Sequence, residues 1–115
     1  LLVRALCVPG QDAVAISTPT FGMYAVCARL HGARVVDVPL RERADGFFID
    51  GDALVHAARR QDARLVFACS PGNPTGTQQP LDELRALAAG LAGQAVLVVD
   101  EAYGEFAQEA SAITL

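Results

Sequence analysis

The sequence contains no lysine. All nine basic residues are arginines, so these residues alone cannot run a reaction that needs a side-chain amine as nucleophile or proton carrier. Basic residues form no stripe or run, and the net charge is −4. Both features argue against a nucleic-acid partner. No apolar stretch approaches the roughly 18 residues that span a bilayer, and no charged segment followed by an apolar one and a small-residue cleavage site opens the chain. Neither GxGxxG nor GxxxxGKS/T follows an apolar run, which removes the common nucleotide loops. Cysteine is scarce: Cys7, Cys27 and Cys69 are odd in number and widely spaced. They read as reduced, mostly buried thiols of a cytoplasmic protein rather than a disulfide framework. With no CxxC and no paired His/Cys spacing, no metal site is expected. His31 and His56 are isolated and read as surface or partly packed residues.

What is present is apolar and periodic. Of the 115 residues, 52% are hydrophobic, enough for the core of one domain spanning 1–115 and too few residues for two. Short apolar runs alternate with helical stretches, the pattern of a mainly parallel α/β sheet with helical crossovers. Leu1–Cys7 reads as the end of a helix closed by Pro9-Gly10, and 13–17 as a buried strand. A helix is predicted from about Phe21 to His31, with Gly32 as its C-terminal cap. Strand 35–38 follows, and the polar 41–46 segment reads as a loop. Asp50 or Asp52 would cap a helix running to Arg60. Strand 64–69, helix 80–89 and strand 95–99 complete the pattern, the last an unbroken apolar run expected to be covered on both faces. Leu1 falls inside a helix and 110–115 ends without a closing element, so the chain is expected to be a domain piece truncated at both ends.

Open α/β sheets bind ligands beyond the carboxyl ends of their strands, and three strand ends carry unusual residues. After the first strand comes Thr18-Pro19-Thr20-Phe21-Gly22-Met23-Tyr24. Phe21 there would stack on a flat ligand or staple the helix start to the core. After the third comes Ser70-Pro71-Gly72-Asn73-Pro74-Thr75-Gly76-Thr77, a stiff turn whose Asn73 either presents its amide in one direction or serves as a turn residue. Its Asn73–Pro74 bond is open to the cis form. After the fourth comes Asp100-Glu101-Ala102-Tyr103. A carboxylate directly after an apolar strand is costly without a partner, so Asp100 is either a helix cap or the partner of a cationic ligand group.

In this order, TPTFGMY, SPGNPTGT and VVDEAYGEF resemble the fold-type-I pyridoxal-phosphate aminotransferases, and the FGMY and DEAYxEF details look most like the histidinol-phosphate branch. The resemblance covers essentially the whole chain. It implies that Asp100 pairs with the protonated ring nitrogen of pyridoxal 5'-phosphate, giving Asp100 a part in catalysis. It also implies that Asn73 and Tyr103 bond the ring's phenolic oxygen and that Phe21 stacks on the ring, where the family often has tyrosine or tryptophan. By the same resemblance, the lysine that anchors the cofactor lies beyond Leu115 and the phosphate-cradling loop before Leu1. The isolated chain is therefore expected to be inactive. The resemblance gives Tyr24 and Glu105 no firm role. For the parent protein it implies a cytoplasmic homodimer that acts on a small-molecule amino donor and a 2-oxo acid, with no nucleic-acid or membrane partner. Threonine-phosphate decarboxylases and aromatic aminotransferases share much of the pattern, and a non-catalytic α/β fragment is a further alternative.

Overall fold

The computed structural model describes residues 1–108 and 110–115. Four parallel strands form its main sheet: β1 (Ala13–Ile16), β2 (Arg34–Asp37), β5 (Ala63–Cys69) and β6 (Val96–Asp100), in the order β2-β1-β5-β6. The helices are α1 (Leu2–Leu6), α2 (Met23–His31), α3 (Gly51–Arg60) and α4 (Leu81–Leu91).

Strand side chains alternate between faces, and the two cores follow that alternation. Ala13, Ala15, Val66 and Ala68 pack with Leu54 and Ala58 of α3 and Leu84, Leu87 and Leu91 of α4. Val14, Ile16 and Leu65 face the other way, onto Val3 of α1 and Tyr24 and Ala28 of α2. The result is a three-layer α/β/α arrangement. From β1 the chain passes to β2 on one side and later to β5 on the other, so the strand order reverses beside β1, the position where open sheets of this kind form a ligand crevice.

Most helix boundaries follow the local signals. Asp50 caps α3 by accepting from Ala53 N at 3.2 Å, which decides between the two expected caps. Gly32 closes α2 with φ of 84°. Two expectations need correction. The 41–46 segment is not a loop: β3 (Arg41–Arg43) pairs antiparallel with β4 (Gly46–Phe48). Arg-Glu-Arg has no apolar alternation, and the hairpin is held by backbone pairing, by the Arg43 guanidinium over the Phe48 ring at 4.5 Å and by two side chains from a distant loop. Thr77 Oγ1 accepts from Phe47 N at 3.0 Å, and Gln79 bonds both Ile49 N and Phe47 O. Nor are the thiols mostly buried: Cys7 is, Cys69 is half-buried and Cys27 is exposed. β6 packs on both faces as expected, Leu97 and Val99 against the core under α3 and α4 and Val98 against the core under α1 and α2. It is the sheet edge among the described residues and is half-buried, with Val96 exposed. Burial pushes the Cys7 thiol pKa up, with Asp12 adding to the shift. Among the described residues, no helix is long and apolar enough to cross a membrane.

Candidate functional site

The site is built from strand parity. Leu65, Phe67, Cys69 and Val98 pack on the face covered by α1 and α2, and two residues beyond Val98 the same alternation brings Asp100 to that face. Parallel register sets Phe67 beside Val98 and Cys69 beside Asp100. Asp100 thus ends β6 at the carboxyl edge of the sheet, half-buried, directly below the first turn of α2.

Tyr24 descends from that turn. It is 7% exposed, and its ring stacks on Phe67 with centroids 4.4 Å apart and planes 3° from parallel. Its hydroxyl donates to Asp100 Oδ2 at 2.5 Å. The Tyr24 pKa is driven well above the ordinary tyrosine range, first by burial and then by hydrogen bonds with Asp100 and Cys69. The phenol therefore keeps its proton and remains a donor. The other Asp100 oxygen, Oδ1, accepts from Ala102 N at 3.0 Å. This is a local turn of the kind Asp favours, not the cap of an α-helix; the chain continues into a 3₁₀ turn, Gly104–Phe106.

Asn73 is positioned by its loop. Ser70 N donates to Asp100 O at 3.0 Å and Gly72 N to Thr77 O at 2.8 Å. Gln79 N donates to Ser70 Oγ at 2.9 Å. The Thr18–Pro19, Ser70–Pro71 and Asn73–Pro74 bonds are all cis. Asn73 Nδ2 lies 3.5 Å from Tyr103 OH, a long contact that leaves both groups free for a better partner. Phe21 does not staple α2 to the core. It precedes the helix, is 43% exposed, and meets the Tyr24 ring edge-on at 5.6 Å and 81°.

The four side chains singled out in the sequence come together. Phe21, Asn73, Asp100 and Tyr103, with Cys69 and Ala102, line one hollow of about 90 Å³. A neighbouring hollow of about 320 Å³, bounded by Pro71, Pro74 and Phe106, shares Asn73 and Tyr103 with it. Tyr24 and Cys69 are members of the site that sequence reasoning did not assign. The signal for Tyr24 was its spacing, three residues after Phe21, across the turn into α2 in which Tyr24 N donates to Phe21 O at 3.2 Å. Glu105 sits exposed in the 3₁₀ turn, outside the hollow. His31 is partly packed, its Nε2 2.9 Å from Cys7 O, and His56 is exposed. A larger hollow of about 450 Å³ lies against α3 and α4 on the other face of the sheet; of the ionic groups lining it, Arg41 is paired with Asp50 and Arg43 with Glu83.

The hollow combines an anion, an amide, a phenol and an exposed aromatic face, a set suited to a flat, cationic, oxygen-bearing ring. Relatives carry the same chain segment. The sequence is 56% identical to a histidinol-phosphate aminotransferase of Stenotrophomonas maltophilia and 57% identical to one of Xanthomonas campestris, over all 115 residues and 32% of each relative. The chain thus spans about a third of the length of the curated relatives it matches. Among solved structures, a histidinol-phosphate aminotransferase from Sinorhizobium meliloti in complex with pyridoxal-5'-phosphate matches with a TM-score of 0.79 at 33% identity, over 92% of this chain and 28% of that one. An N-succinyldiaminopimelate aminotransferase from Mycobacterium tuberculosis matches with a TM-score of 0.77 at 34% identity, over 86% and 26%. Residues 1–115 match the class I and II aminotransferase family from end to end, and the chain belongs to that family.

Proposed function

We propose that these residues form the ring-binding part of a pyridoxal-phosphate-dependent transaminase, whose full-length protein moves an amino group between histidinol phosphate and 2-oxoglutarate as a cytoplasmic homodimer. The observation that carries this reading is the convergence of Phe21, Asn73, Asp100 and Tyr103 on one hollow. The donor set fits the cofactor. Asp100 has one hydrogen bond at each carboxylate oxygen and keeps acceptor capacity for a protonated ring nitrogen. Asn73 and Tyr103 stand together where a phenolic oxygen would take hydrogen bonds from both, and the exposed ring of Phe21 offers a stacking face.

When bound, pyridoxal phosphate supplies an electron sink for the carbanion formed at the substrate carbon. In this reading Asp100 holds the proton on the ring nitrogen by charge, Asn73 and Tyr103 fix the ring's tilt, and Phe21 covers one face against water. The chain has no lysine, so the amine that transamination requires as covalent partner and proton carrier would come from outside these residues, as would the phosphate-cradling loop. The substrate assignment is supported by the names of relatives similar over the whole chain. Amino transfer from glutamate to imidazole-acetol phosphate by the full-length protein tests it. Turnover is expected. Failure with this pair alongside good turnover of an aromatic amino acid, or decarboxylation of threonine phosphate, overturns the substrate assignment.

A further inference from the structure

The family resemblance assigns Tyr24 no firm role, yet its ring and its hydroxyl are both held by neighbours. Its ring is held flat on Phe67 of β5 and edge-on by Phe21, which fixes both side-chain torsions. Its one donor proton goes to Asp100. The Asp100 carboxylate is thereby gripped at both oxygens from different elements: Oδ2 by α2 through Tyr24, Oδ1 by the Ala102 backbone. Two fixed donors set the plane of a carboxylate, and each oxygen retains one further acceptor direction. The same phenol touches the ring of Phe21, so the stacking face and the anion of the hollow share one support.

We infer that Tyr24 is a positioning residue: its hydroxyl holds the Asp100 carboxylate in the plane that receives a protonated ring nitrogen, so that the hollow discriminates between rings with and without that nitrogen. This rests on the cofactor reading proposed for the hollow. The raised Tyr24 pKa agrees with it, because a phenol that keeps its proton cannot become a second anion beside Asp100.

The test compares the affinity of the full-length apoprotein for pyridoxal phosphate with its affinity for the analogue that carries CH in place of the ring nitrogen, both read by absorbance titration. The wild type is expected to prefer the nitrogen-bearing ring. Tyr24→Phe keeps the stacked ring and loses only the hydroxyl. It should lower that preference about tenfold, the scale of one hydrogen bond to a charged group, while binding the CH analogue as the wild type does. Equal losses for both ligands would mean that Tyr24 only supports the fold, and would overturn the inference. Asp100→Asn separates the two readings. If Asp100→Asn leaves the preference intact, the cofactor reading itself fails. If Asp100→Asn abolishes the preference and Tyr24→Phe does not change it, only the Tyr24 inference fails. Should Tyr24→Phe not fold, the wild-type protein still decides: the Tyr24 hydroxyl proton, followed by NMR, is expected to shift on binding pyridoxal phosphate and not on binding the CH analogue. An identical response to both ligands contradicts the proposal.

Discussion

Gln79 joins the candidate site to the β3–β4 hairpin, and its removal has a calculable effect. The residue is 3% exposed. Its Oε1 accepts from Ile49 N at 2.9 Å and its Nε2 donates to Phe47 O at 3.1 Å. In Gln79→Ala both partners lose their bonds. Ile49 is buried, so its orphaned N–H costs about 1–3 kcal/mol, and the half-buried Phe47 carbonyl about 0.5–1.5 kcal/mol. The local cost is then about 2–4 kcal/mol, or roughly a 30- to 700-fold rise in opening of the hairpin. Native-state hydrogen exchange, read at the Ile49 amide, measures that opening without requiring two-state unfolding of a large protein. Gln79→Glu adds a sign. It keeps the acceptor for Ile49 N but turns a second acceptor toward Phe47 O, and only the protonated acid can donate there. The native state therefore holds that proton more tightly than the unfolded one, and Gln79→Glu should approach wild-type protection as pH falls. Unchanged protection at Ile49 in Gln79→Ala, or a Gln79→Glu defect that grows on acidification, would refute the reasoning.

Other perturbations read other parts of the structure. Gly46→Ala should destabilise by about 1–3 kcal/mol, because at φ of 152° the added methyl would stand 2.6 Å from Thr77 Oγ1; a melting temperature equal to wild type contradicts this. Tyr24 holds its proton above its ordinary value in the folded chain, while the unfolded chain releases it near pH 10. The contribution is therefore complete below about pH 10, and above it stability falls by up to about 1.4 kcal/mol per pH unit. Urea midpoints across that range should show a slope that Tyr24→Phe reduces, and identical slopes would rule the coupling out. Treating the 115-residue chain with pyridoxal phosphate and borohydride should leave no pyridoxyl-lysine by mass spectrometry, since the chain has no lysine; an adduct of that mass on a lysine-containing peptide is the contrary result.

The parallel sheet was legible because its strands are apolar runs separated by helical periodicity, and because Asp50 and Gly32 carry ordinary cap chemistry. The site was legible for a different reason. Phe21, Asn73, Asp100 and Tyr103 sit in or directly after strand ends, where polar or rigid residues break an apolar pattern. The hairpin was not legible, since Arg41-Glu42-Arg43 are exposed and their pairing depends on Thr77 and Gln79, about thirty residues away. Tyr24 was legible as a helix residue but not as a partner of Asp100, a contact across 76 positions that only the strand register creates. The edge position of β6 is equally a matter of topology: its apolar run is the same whether a neighbour pairs with it or not.

Whether Asp100 faces a protonated ring nitrogen can be observed directly. Pyridoxal phosphate labelled with ¹⁵N in the ring, bound to the full-length protein and observed by NMR, reports that protonation. A protonated nitrogen signal in the wild type at neutral pH, lost in Asp100→Asn, is the predicted result. An unprotonated nitrogen in the wild type, or the same protonated signal in Asp100→Asn, would show that the hollow between Phe21 and Tyr103 does not seat the ring in this way.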